Sequence, residues 1–149
     1  MKRLHTDIID MVLVHSDGND EVIINQYGTL DALAALKAEG KIRAFGMSTK
    51  TVSGGLLAAE KSDGVMVTWN LQYADELPVI DYCRDHGKGV LIKKALASGH
   101  AALGEEDPVQ KTFEMLFAHS GVSSAIVGSI NPSHLSSNVA KAVRATAGL

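Results

Sequence analysis

One cysteine, three prolines and no apolar run of membrane length set the first limits on this 149-residue chain. Cys83 has no second thiol to meet, so no intrachain disulfide forms, and a reducing cytoplasm is the expected address. No stretch approaches the roughly 18 apolar residues that cross a bilayer, and no signal-peptide core opens the sequence. Charge of one sign is scarce too. Fourteen basic against 17 acidic residues leave a net −3, and Lys2/Arg3 and Lys93/Lys94 are pairs rather than patches. Neither nucleic acid nor an anionic membrane is implied as a partner. Low-complexity tracts and linkers are lacking, so residues 1–149 read as a single domain. Walker loop and GxGxxG fingerprint are both missing. The histidines (His5, His15, His86, His100, His119, His134) show no metal-ligand spacing, and one cysteine makes no zinc site, so no metal is expected.

What is present is a soluble-protein composition, 46% hydrophobic and 21% charged, arranged in a rhythm. Residues 7–15 form a nearly unbroken apolar run, the kind that suits a parallel strand covered on both faces. A polar loop follows. Leu30, Leu33, Leu36 and Lys37 then fall at helical spacing, with Gly40 as terminator. Residues 42–47 are the next strand. Thr51 or Ser53 caps a second helix, and Gly54–Gly55 is a feature of its start rather than a phosphate cradle. Residues 65–69 are strand. Residues 77–86 are helix, with Pro78 in the first turn and Gly87 after the end. Residues 90–92 are strand, Asp107–Pro108 opens a helix carrying Val109, Phe113, Leu116 and Phe117, and residues 124–127 are the last strand. Asn131–Pro132 starts a final helix with Leu135, Val139 and Val143 on one face.

Five strands, each followed by a helix, make a parallel α/β sheet. Two architectures fit: a doubly wound open sheet, or part of a (β/α)8 barrel, which would need about 250 residues when complete. In either, ligands meet the carboxyl ends of the strands. Those ends carry His15–Ser16, Ser48–Thr49, Trp69–Asn70 and Lys93–Lys94, and Gly128–Ser129 follows the last strand. His15 and Lys93 are therefore candidate donors or proton-transfer groups, although any one of these residues alone is an ordinary solvated loop residue. Asn131 and the helix start behind it favour a phosphate, or simply a well-capped helix. Asp10, Asp17 and Asp20 lie near His15 and read as solvated loop carboxylates. Cys83 reads as a packing residue.

Four segments together resemble the aldo-keto reductases. Lys2-Arg3-Leu4-His5-Thr6-Asp7 through Leu13-Val14-His15-Ser16 is similar to the family's fourth strand, and Gly40-Lys41-Ile42-Arg43-Ala44-Phe45-Gly46-Met47-Ser48 to its fifth. Residues 87–99 resemble its seventh strand and the loop after it, and residues 126–138 its cofactor-phosphate segment. The resemblance runs through the chain in the family's order. It implies strands four to eight of an incomplete (β/α)8 TIM barrel, and NAD(P)H-dependent carbonyl reduction in the complete enzyme.

It also implies roles. His15 matches the active-site histidine that hydrogen-bonds the substrate carbonyl oxygen, and Ser48 a residue that holds the nicotinamide carboxamide. Leu96 and Ser98 lie in the pyrophosphate loop. Ser129 falls where the adenosine phosphate is contacted, and Asn138 where adenine is. Trp69 and Asn131 join the cofactor set by position. Five departures accompany these matches: Thr49 replaces an asparagine, Met66 replaces a glutamine, Lys93 replaces a ring that stacks on the nicotinamide, and Gly128 and His134 replace basic residues of NADP-specific members. Histidine carries little fixed charge near neutral pH, so NADP and NAD are both expected cofactors. The family's catalytic tyrosine, lysine and aspartate precede its fourth strand and match no position here. The chain alone is expected to be inactive, a cofactor-binding part for a small carbonyl substrate, or else a non-enzymatic nucleotide-binding or interaction module. Open strand edges imply self-association.

Overall fold

A computed structural model describes residues 2–97 and 107–147. A short 3-10 turn over Lys2–Leu4 precedes strand β1, Ile9–His15. Helices α1 (Asp20–Asn25) and α2 (Thr29–Ala38) lead to β2, Ile42–Ser48. Then follow α3 (Val52–Lys61), β3 (Gly64–Thr68), α4 (Leu77–Asp85), β4 (Gly89–Lys93), α5 (Pro108–Ala118), β5 (Ser124–Ala125) and α6 (Pro132–Thr146).

The sheet is wholly parallel, and its spatial order is β1-β2-β3-β4-β5. A doubly wound sheet reverses its strand order at a switch point. This one never reverses, so each crossover adds the next strand on the same side, which is the winding of a (β/α)8 barrel. The registers step as well. β3 begins opposite Gly46, in the middle of β2, and β5 begins opposite Leu91 of β4. Such staggering tilts strands toward closure. Gly46, Gly64 and Gly89 stand in register across β2, β3 and β4. A Cβ on Gly46 would lie 1.9 Å from the Gly64 carbonyl oxygen, so a side chain there would push the two strands apart.

Burial shows which face the helices cover. Met47, Val65, Val67, Val90 and Ile92 are fully buried and form the core with Val79, Ile80 and Cys83 of α4 and Ala58 and Ala59 of α3. Met66, Thr68, Leu91 and Lys93, on the opposite face, are only half-buried. The strands are thus covered on one face among the described residues, and the two-sided cover inferred from the apolar run of β1 is corrected. Burying Cys83 also pushes its thiol up to about 11, which makes it an inert packing group.

Two further expectations change. The polar loop after β1 contains α1, because Ile23 and Ile24 reach the core and Asp20 is buried behind them. The last strand is shorter than residues 124–127: only Ser124 and Ala125 pair with β4, and Ile126 adds one amide hydrogen bond to the Ile92 carbonyl (2.8 Å) before the chain turns toward α6.

Candidate functional site

The carboxyl ends of β1 and β2 are fastened by one carboxylate. The Ser16 hydroxyl donates to Asp20 Oδ1. Asp20 Oδ2 accepts from the Lys50 and Thr51 amides (2.9 and 2.8 Å) and from Thr51 Oγ1 (2.8 Å). Burial alone would raise this carboxyl, but the hydrogen bonds outweigh it and hold Asp20 below its ordinary range. Thr51 Oγ1 also accepts from the Gly54 amide (3.1 Å) and so caps α3. A Cβ on Gly54 would stand 2.1 Å from the Asp20 Cβ, so glycine lets the helix start close on the carboxylate. Asp20 is therefore a structural clasp, not the solvated loop acid the sequence suggests. Asp10 and Asp17 are ordinary: Asp10 pairs with Arg43 on the surface, and Asp17 accepts from the Asn19 amide.

Against this clasp opens a cleft of about 610 Å³, lined by His15, Thr49, Lys50, Glu76, Lys93 and Lys94 among others. His15, Ser48 and Met66 are register partners on three neighbouring strands, and Thr68 is the partner of Lys93. Parallel partners face the same side, so all five belong to the face the helices leave uncovered. Lys93 Nζ reaches across to donate to Ser48 Oγ (3.1 Å) and to the Thr49 carbonyl. Burial lowers its pKa, while the nearby Glu76 works in the other direction. Glu76, the residue before α4, is 2% exposed. Its Oε2 accepts from the Thr68 amide (2.7 Å), whereas Oε1, like Thr49 Oγ1, is buried with no partner. Burial raises the Glu76 carboxyl. Lys94 (φ 53°) and Ala97 (φ 48°) hold left-handed backbone without being glycine. Asn70 Nδ2 donates to the Lys94 carbonyl (3.0 Å) and helps to fix that turn.

A second cleft of about 650 Å³ adjoins the first and shares Lys94 with it. Leu96, Val127, Gly128, Ser129, His134, Asn138 and Lys141 are among its lining residues. Lys141 is paired with Asp107. Asn131 caps α6 by accepting from the Ser133 amide (3.0 Å) and hydroxyl (2.7 Å), and Ser129 Oγ accepts from the Asn131 amide (3.2 Å).

The structure thus brings His15, Thr49 and Lys93 into one cleft and Leu96, Gly128, Ser129, His134 and Asn138 into the other. Ser48 is buried and already engaged by Lys93. Met66 stands beside Ser48 but lines neither cleft. Trp69 lies past the end of β3, 7% exposed, and meets His119 edge-on at 5.6 Å, away from both. Asn131 serves as the cap. Ser98 lies outside the described residues. Sequence reasoning passed over Glu76 and Lys50 and took Asp20 for a solvated acid. An acid immediately before the Leu77–Pro78 helix start was the available signal for Glu76.

Among the described residues no His, Cys, Asp and Glu side chains gather as a metal ion would require, and no helix is long and apolar enough to cross a membrane. The model of the aldo/keto reductase family matches residues 1–115. A Pseudomonas aeruginosa structure described as a candidate aldo-keto reductase is 53% identical, with a TM-score of 0.89 over 97% of this chain and 55% of that one. An aldo-keto reductase of Bacillus halodurans in its holo form shares the fold at 21% identity (TM-score 0.80; 95% of this chain, 57% of that one). An aldo/keto reductase of Klebsiella pneumoniae in complex with NADP and acetate is 26% identical (TM-score 0.69; 95% and 56%). No curated protein matches the chain. The chain spans about half the length of these solved relatives.

Proposed function

The chain belongs to the aldo/keto reductase family, and from that premise we propose that it supplies the nicotinamide-cofactor-binding part of a carbonyl reductase, corresponding to strands four to eight of the barrel. One observation carries the reading. Two clefts joined at Lys94 open at the carboxyl ends of a sequentially ordered parallel sheet, one holding His15 and the other lying beside the start of α6. An elongated dinucleotide suits such a pair of clefts, its redox end by His15 and its adenosine end by Ser129, His134 and Asn138. The unpartnered buried oxygens of Thr49 and Glu76 offer polar contacts to the redox end.

When bound, the cofactor supplies hydride. The chain's own residues bind and orient. Ser48, Thr49 and Lys93 hold the nicotinamide end, Leu96 with Gly128 follows the diphosphate, and His15 hydrogen-bonds the carbonyl oxygen of a small substrate. The proton donor is assigned to a tyrosine outside this sequence. General-acid help is worth roughly 10²–10⁴-fold, so this chain alone is expected to oxidise no NADPH with 4-nitrobenzaldehyde above an enzyme-free blank, while cofactor titration followed by fluorescence shows weak binding. Turnover abolished by His15→Ala would overturn the division of labour. No binding of any nicotinamide cofactor would favour a non-enzymatic interaction module.

A further inference from the structure

Charge in the first cleft is lopsided. Lys50, Lys93 and Lys94 line it against a single acid, Glu76, although the chain as a whole carries −3. One of these cations is fixed. Lys93 Nζ is held between β4 and β2 on Ser48 Oγ and the Thr49 carbonyl, so it sits against the cleft wall instead of moving in bulk water. The opposing Glu76 is nearly sealed from solvent, its Oε2 is committed to the Thr68 amide (2.7 Å), and burial raises its carboxyl.

We infer that Lys93 makes this cleft discriminate between the redox states of its cofactor, taking the uncharged reduced nicotinamide in preference to the cationic oxidised ring. The inference rests on the nicotinamide reading above. If His15 orients the carbonyl, the ring that gives hydride lies in the same cleft and therefore beside Lys93. Phosphates, riboses and adenine are the same in both redox forms, so whatever those groups contribute cancels in the comparison. The ring alone changes, from neutral to +1. Two positive charges in a partly dry cleft repel far more than they do in water, and the fixed position of Lys93 keeps its ammonium from retreating to solvent. The reduced form is expected to bind at least about tenfold tighter, and a tenfold ratio raises the potential of the bound two-electron couple by about 30 mV. The oxidised product is then expelled readily, a step that limits turnover in many enzymes.

The test is the ratio of dissociation constants for NADP⁺ and NADPH, and for NAD⁺ and NADH, measured by calorimetry on the full chain. A ratio of ten or more is expected for the wild type. Lys93→Met should bring it close to one, Lys93→Arg should keep it, and Glu76→Gln should keep or widen it. A wild-type ratio near one overturns the inference alone and requires no variant to fold. A ratio that survives in a folded Lys93→Met overturns the assignment to Lys93. Binding of neither redox form overturns the nicotinamide reading and this inference with it.

Discussion

The two clefts are built from unlike material. Around the first, β2, β3 and β4 pack on α3 and α4 through side chains that are fully buried, and Asp20 clasps the loop after β2. Around the second, α6 buries none of its residues. Its apolar stripe, Leu135, Val139 and Val143, is 47%, 56% and 62% exposed, and an ion pair of Lys141 with Asp107 helps tether it to the start of α5. One region is a packed core that presents chemistry at its rim. The other is a locally capped helix that lies against α5 with its apolar stripe about half exposed. Fine discrimination is expected of the first, because a rigid wall holds a charge where a ligand must meet it.

The sharpest way to break this contrast is to truncate one apolar residue in each region. Ile92→Ala in the core should lose about 2–5 kcal/mol, whereas Val139→Ala on α6 should change stability by less than about 0.5 kcal/mol. Urea denaturation measures both. Similar losses would mean that α6 is packed as tightly as the core.

Asp20→Asn comes next. An amide cannot accept at both oxygen positions, so at least one buried donor from Ser16, Lys50 or Thr51 loses its partner, a loss of about 1–3 kcal/mol. The pH dependence has a definite sign. The native carboxyl is held below its unfolded value, so its contribution is full above about pH 4 and is lost as pH falls through the depressed native value. Acid unfolding of the wild type below pH 4 should therefore flatten in Asp20→Asn. An unchanged acid limb would show that the clasp is not the titrating element.

Association tests the uncovered regions. Among the described residues β1 and β5 are the edge strands, the sheet face away from the helices is half-buried, and α6 adds its stripe. Unpaired edges and apolar patches invite another chain. Light scattering at about 100 μM, within the range where such surfaces associate, is expected to show dimers or larger species. A stable monomer would mean that the edges are protected.

Much of this fold was legible because parallel strands and capped helices leave local marks. Thr51, Asp107 and Asn131 each cap the helix their position suggested, and Pro78 and Gly87 bracket α4. Strand order was not local. Alternating strands and helices suit open sheet and barrel equally, and only the pairing of each strand with the next one in sequence decides. α1 was missed because Ile23–Ile24 is too short a run to show helical period beside the polar residues around it. The candidate site was half legible. Strand-end residues could be found by position, but Glu76 and Asp20 matter through burial, and a sequence does not show that an acid is sealed from water. Trp69 also ends an apolar run, and its ring meets His119 edge-on.

The smallest expected effect concerns the second cleft, and it follows from how little fixed charge that cleft holds. An extra 2′-phosphate distinguishes NADPH from NADH, and strong selection needs a cation that is placed and free to pair. Lys141 is engaged with Asp107, Gly128 brings no side chain, and His134 stands on an exposed turn at the start of α6. Asn131 already satisfies the Ser133 amide, so the helix start has fewer open donors to offer. Lys94 remains, but it is shared with the first cleft and is expected to meet both cofactors alike. The dissociation constants of NADH and NADPH should therefore agree within about fivefold, or about 1 kcal/mol. His134→Arg should then tilt binding toward NADPH, since a guanidinium is always charged and can grip a phosphate with two N–H groups. A wild-type preference for NADPH much above fivefold would mean that the second cleft is as selective as the first, and that an exposed helix start can hold charge as firmly as a packed core.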